Sequence, residues 1–172
     1  NEVKGFLKDL EKRPAIESKM QRLINDLDKT FSGQHETVVI FTQYTDTMDY
    51  IRQMMQTKYG SSMGCYSGRG GELWDSDSGG WRTVPKEAIK QMFRNGEIQV
   101  LVGTDSMSEG LNLQTSGRLI NYDMPWNFMR VEQRIGRVDR INGKPLVEIS
   151  NYFYSGTVEE QIYSGIRRDY DW

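Results

Sequence analysis

The chain has 172 residues, 37% of them hydrophobic, which is enough to bury one core and too short for two full domains of ordinary size. With 22 Lys and Arg against 24 Asp and Glu the formal net charge is -2, so nothing global announces a nucleic-acid or membrane partner and any basic site must be local. One cysteine, Cys65, excludes an internal disulfide framework, and one histidine, His35, argues against a zinc site. No stretch approaches the ~20 apolar residues of a membrane span, and the opening "NEVKGFLKDLEKR" lacks the apolar core of a signal peptide, so a cytoplasmic chain with no membrane partner is expected. The first residue is not methionine, as expected of a fragment or a processed chain.

From Ile16, apolar residues recur at Met20, Leu23, Ile24, Leu27 and Phe31, a spacing that predicts a helix ahead of the sheet with one buried face. "TVVIFT" (37–42) is β-branched and almost wholly apolar, which predicts a buried parallel strand. "TDTMDYIRQMMQTKYG" returns to helical spacing through Met48, Ile51 and Met55, with Gly60 as its stop. "MGCYSG" (63–68) predicts a short strand. "SGRGGELWDSDSGGWRT" (67–83) holds five glycines and no periodicity, which predicts a long loop or an insertion.

Thr83 and Pro85 then open a helix carrying Ile89, Met92 and Phe93, ended by Asn95 and Gly96. "IQVLVGT" (98–104), "RLINYD" (118–123) and "LVEISNYFY" (146–154) read as further strands. A capping box of Thr157 and Glu160 starts a last helix through Ile162 and Ile166. Strands alternating with helices predict an α/β fold, a parallel sheet flanked by helices on both faces in three α/β/α layers. Met54, Met55, Met92 and Met107 are expected to fill the core, and Asp75 and Asp77 to be solvated.

"EQRIGRVDRING" (132–143) concentrates the basic charge. Between Arg130 and Lys144 stand five basic residues and two acidic ones. If 129–141 is helical, Gln133, Arg137 and Arg140 share one face, while Val131, Ile135 and Val138 fall mostly on another. Gly136 lets a ligand approach the backbone closely, at about 1 kcal/mol of helix propensity. Planar guanidinium groups suit phosphate oxygens and the charge that spreads over them during phosphoryl transfer. The same residues could instead form a solvated face paired with Glu132 and Asp139.

The company of this cluster separates the two readings. Gln133, Arg134, Gly136, Arg137 and Arg140 match the pattern of motif VI of superfamily 2 helicases and translocases. "VVIFTQYTDTMDYI" resembles their motif IV and "VLVGTDSMSEGLNLQ" (100–114) their motif V. "YDMPWN" (122–127) is similar to the Asp-Pro-x-Trp-Asn block of the Swi/Snf branch, and "SGTVEEQI" (155–162) to its Gly-Thr-x-Glu-Glu segment. The resemblance runs in order from about Val38 to Ile162. Glu109 before Gly110, where eukaryotic remodellers usually carry a second glycine, looks more like the bacterial RapA-type translocases. Arg-Ile-Asn-Gly in place of Arg-Ile-Gly-Gln after motif VI is a departure from the common pattern.

The resemblance implies a RecA-like second motor lobe over 33–172, with 1–32 a leading helix or linker from an upstream lobe. It implies that Arg137 and Arg140 are arginine fingers toward ATP and that Gln133 couples them to the nucleic-acid side. Gly110, Asp105, Glu109 and Gly136 would lie near the nucleotide. Thr42, Gln43, Tyr44, Arg69, Thr104, Ser106 and Ser108 would face a nucleic-acid backbone; for the serines, turn chemistry alone is an equal reading. Trp126 is read as packing rather than base stacking. The implied cofactor is ATP with Mg2+, held mainly by an N-terminal lobe not in this sequence. The implied partners are double-stranded DNA, that N-terminal RecA-like lobe and, beyond them, a larger protein complex, in a nucleoid-associated setting. An RNA helicase lobe and a non-catalytic binding module derived from a helicase lobe are the alternatives.

"GRGG" (68–71) is not followed by Gly-Lys-Ser/Thr, and no strand ends in Asp-Glu, so both a phosphate-gripping loop and a magnesium-binding pair are missing. The 172 residues alone are therefore expected to show no measurable magnesium-dependent ATP turnover, which a phosphate-release assay on the purified chain checks.

Overall fold

The computed structural model describes residues 2–33, 37–104, 118–123 and 148–152. Helix α1 (Glu2–Ser32) leads into strand β1 (Val38–Phe41), helix α2 (Thr45–Tyr59) and a single 3-10 turn. Strands β2 (Met63–Ser67), β3 (Gly70–Asp75) and β4 (Gly80–Val84) follow, then helix α3 (Lys86–Arg94) and strands β5 (Val100–Gly103), β6 (Arg118–Asn121) and β7 (Glu148–Asn151). They form one seven-stranded sheet in the order β4-β3-β2-β5-β1-β6-β7. Every pairing from β2 to β7 is parallel; β2-β3 and β3-β4 are antiparallel.

Strict alternation along each buried strand divides the core. Val38, Ile40, Val100 and Val102 face one side, where Met20, Leu23 and Leu27 of α1 and Met48, Ile51 and Met55 of α2 cover them. Val39, Phe41, Leu101 and Leu119 face the other, under Ile89 and Phe93 of α3. Burial on both faces explains why these strands read as continuous apolar runs. Gly60, with φ 52, ends α2 where the sequence places its stop. The leading helix is longer than its apolar periodicity from Ile16 suggests, since it begins at Glu2.

Residues 67–83 correct the expectation of an irregular loop: they are the antiparallel edge hairpin β3-β4. Trp74 and Trp81 face each other across it, with rings edge-on at 5.5 Å. Its turn is closed by Asp75, whose carboxylate accepts from the Asp77 N–H at 3.1 Å and the Ser78 hydroxyl at 3.0 Å. These bonds hold the Asp75 carboxyl below its ordinary range. The glycines that hid the strand pattern have a packing reason. A Cβ at Gly71 would lie 2.5 Å from Ile89 Cγ1 and 2.9 Å from the Val84 carbonyl oxygen, so β3 passes under α3 only without a side chain there. Met54, expected in the core, is 48% exposed on α2, because helical spacing turns it away from the face shared by Ile51 and Met55. Met107 and the last helix lie outside the described residues.

Polar contacts fasten α1 to the far edge of the sheet. The Tyr152 hydroxyl donates to Asp26, and Arg22 stacks 4.4 Å over the same ring. Arg118, buried in β6, donates to Ser150 Oγ at 2.7 Å and to Thr30 Oγ1 at 3.4 Å. Burial, the bond to Asp26 and that carboxylate's charge all raise the Tyr152 pKa above its ordinary value of 10.0. The neutral phenol is the form that the fold stabilises. This contribution is therefore complete below pH 10 and is lost at higher pH, where the unfolded chain ionises first. Tyr152→Phe should lower stability by about 1–2 kcal/mol at pH 7, with the gap to wild type closing above pH 10, as read from urea unfolding across pH.

Candidate nucleic-acid and nucleotide interface

The carboxyl ends of the parallel strands gather at one edge, the usual place for ligands in open α/β sheets. Hydrogen bonding continues one residue past the strands. Thr42 N–H donates to the Gly103 carbonyl at 3.0 Å, Thr104 N–H to Tyr66 at 3.1 Å, Tyr122 N–H to Phe41 at 2.8 Å and Tyr152 N–H to Asn121 at 2.8 Å. The described ends of β1, β5 and β6 thus lie along one hydrogen-bonded line, and residues 105 and 124 follow directly in the sequence from Thr104 and Asp123.

Of the residues predicted to face nucleic acid, Thr42, Gln43, Tyr44 and Thr104 lie together along this line. Thr42 is fully buried, and its hydroxyl donates to Asp123 and accepts from the Tyr44 N–H at 3.3 Å. Gln43 and Thr104 are half-buried, and Tyr44 is 53% exposed. Gln43 N–H donates to Asp123 Oδ1 at 2.8 Å. The sequence reading missed Asp123 as a site residue. Its local signals are an acid directly after an apolar strand and the first place of the block similar to Asp-Pro-x-Trp-Asn, and its partners lie about eighty residues upstream.

Arg69 stands apart, in the turn between β2 and β3. Its guanidinium grips Asp49 in bidentate fashion, at 2.6 and 3.2 Å, and reaches Glu72 Oε1 at 3.1 Å with the geometry of an ion pair rather than a hydrogen bond. The Asp49 bond raises the Arg69 pKa further. Arg52 shares both acids, at 2.9 Å from Glu72 and 3.2 Å from Asp49, and stacks 4.6 Å over Trp81. Two arginines and two carboxylates thus balance, tying the hairpin to α2. Arg69 keeps 44% of its side-chain surface exposed.

Gln133, Arg137, Arg140, Gly110, Asp105, Glu109, Gly136, Ser106, Ser108 and Trp126 lie outside the described residues, as does His35. Among the described residues no group of three His, Cys, Asp or Glu is arranged to hold a metal ion, and no helix is long and apolar enough to cross a membrane.

Residues 18–142 match the family described as the helicase conserved C-terminal domain. The chain belongs to that family. The helicase C-terminal domain is 40% identical over 127 residues to the uncharacterized ATP-dependent helicase YqhH of Bacillus subtilis, covering 74% of this chain and 20% of that protein. It is 28% identical over 136 residues to the RNA polymerase-associated protein RapA of Vibrio vulnificus, covering 79% of this chain and 13% of RapA. The chain thus spans a fifth or less of the length of these curated relatives. Among solved structures, the C-terminal part of the Fun30 ATPase domain superposes with a TM-score of 0.66 at 19% identity, covering 85% of this chain and 44% of that one. The C-terminal domain of the DEAD-box protein Dbp5 gives 0.64 at 20%, covering 88% and 78%. These likenesses establish the RecA-like fold of a helicase C-terminal domain, as the motif blocks imply.

Cys65 sits on β2 behind the Arg52 network, fully buried, and burial pushes its thiol up to about 12 against the opposing pull of Arg52. It is no nucleophile at neutral pH. In the folded protein at pH 8 iodoacetamide should alkylate it roughly a hundredfold or more slowly than in urea, as followed by intact mass.

Proposed function

We propose that this domain is the second motor lobe of an ATP-dependent double-stranded-DNA translocase of the Swi/Snf branch, acting at the nucleoid. Residues 33–172 would be the lobe and 1–32 its link from an upstream lobe that binds ATP and Mg2+. The observation that carries the reading is the convergence on one sheet edge of Thr42-Gln43-Tyr44, Thr104 and Asp123. These residues belong to three separate motif blocks. The 40% identity to a protein named as an ATP-dependent helicase supports the ATP-driven part, and the likeness to RapA supports the branch.

In this reading Tyr44, Gln43 and Thr104 present side chains and strand-end polar groups to one DNA backbone, with Ser106 and Ser108 extending the track. Arg69, held by Asp49 and Glu72, offers its exposed edge to the same partner. Arg137 and Arg140 reach the terminal phosphate when the lobes close, and their charge stabilises that which develops on its oxygens. Gly110, Asp105, Glu109 and Gly136 line the nucleotide side, and Gln133 links it to the DNA side. Each closure and reopening would move the DNA contacts of one lobe relative to the other.

In the full-length protein, Arg137→Ala and Arg140→Ala should each lower duplex-stimulated ATP turnover roughly a thousandfold or more while circular dichroism and melting stay as in wild type. Turnover indifferent to both substitutions would remove the finger assignment. Stimulation by RNA and not by duplex DNA would replace the substrate with RNA.

A further inference from the structure

We propose that Asp123 is the positioning residue that holds the 42–44 turn in the conformation that meets nucleic acid, an inference that rests on the motor reading above. The turn joins β1 to α2, and α2 has no side-chain cap: Tyr44 occupies the cap position with extended backbone, φ -121 and ψ 128. No side-chain cap therefore helps to hold the turn where it enters α2. The tie comes from the neighbouring strand instead. β1 and β6 pair in parallel from Val39↔Leu119 to Phe41↔Asn121, so the chain just past β6 runs alongside the chain just past β1.

At that point a single carboxylate, 8% exposed, engages the turn along its length. Oδ1 accepts the Gln43 N–H at 2.8 Å, Oδ2 accepts the Thr42 hydroxyl, and that hydroxyl accepts the Tyr44 N–H at 3.3 Å. Three consecutive residues are thus ordered by one charge, directly or through one intervening oxygen. Charge-assisted bonds of this kind are about twice as strong as neutral ones, and with the carboxylate and the hydroxyl both inside the protein, water competes poorly for them. Asp123 does not reach the surface to touch DNA; it acts through Gln43 and Tyr44.

The experiment measures ATP turnover of the full-length protein against duplex DNA concentration. Asp123→Ala should raise the half-saturating DNA concentration about tenfold or more, because the contact residues lose their fixed geometry. Turnover at saturating DNA should stay within about threefold, since DNA itself can order the turn. Asp123→Asn should recover part of the loss, because its carbonyl oxygen still accepts from the Gln43 N–H. Thr42→Val should give a smaller rise, and the double variant Thr42→Val with Asp123→Ala should be no worse than Asp123→Ala alone, as expected of two parts of one tie. Amide exchange should quicken at Gln43 and Tyr44 in Asp123→Ala and not in the strands.

An unchanged half-saturating concentration in folded Asp123→Ala overturns the assignment, as does a loss confined to turnover at saturation. Should Asp123→Ala not fold, Thr42→Val decides, and an unchanged value there overturns it equally. Wild-type protein with no nucleic-acid-dependent turnover would instead remove the motor reading, and the assignment with it.

Discussion

Everything described at the strand ends depends on the in-register parallel pairing of β1 between β5 and β6, with both faces of β1 buried. Four residues, Val38 to Phe41, contribute alternately to two cores, so the strand cannot shift by one residue without exchanging the cover of α1 and α2 for that of α3. That constraint sets where the chain emerges. Because β5 and β6 are level with β1, Thr42, Thr104 and Asp123 leave the sheet side by side, and the backbone bonds of Thr42, Thr104 and Tyr122 carry the ladder one step beyond the last strand residue.

A mildly acidic chain can still present cations where they are needed, provided that they are held individually. Arg52 and Arg69 are balanced by Asp49 and Glu72, so the α2-hairpin corner is close to neutral while Arg69 keeps a partly open guanidinium. The half-exposed Arg69 pairs contribute little to stability in water. The Arg52–Glu72 pair is different, since each side chain is only 12% exposed, and removing one partner would leave the other, beside Trp81, with only its second contact to Asp49 or Arg69. The hairpin is therefore built into the lobe, with a Trp pair on its outer strands and an ion network at its root.

The other end of the sheet shows the same economy. α1 covers the core with Met20, Leu23 and Leu27, yet its orientation is set by polar contacts to Tyr152 and to Arg118, itself held by Ser150, at the β6-β7 edge. Apolar contact is non-directional and tolerates sliding, whereas a hydroxyl on a carboxylate does not.

The sequence by itself determined the α/β alternation, the buried strands, two of the helices with their stops and the family, because those follow from local periodicity and from motif blocks whose order needs no coordinates. Val38 to Phe41 and Val100 to Gly103 read as buried strands since burial on both faces leaves an unbroken apolar run. The β3-β4 hairpin was illegible: Gly70, Gly71, Gly79 and Gly80 serve close packing and a turn, and an edge strand with one open face carries no run to notice. Asp123 was passed over and Thr42 taken for a surface contact for one physical reason. Their bond joins residues 81 apart, and only the register of β1 against β6 brings them together. Tertiary structure likewise decided that Arg69 is already paired and that Tyr152 pins α1, since hydrogen bonds between distant side chains leave no period in a chain.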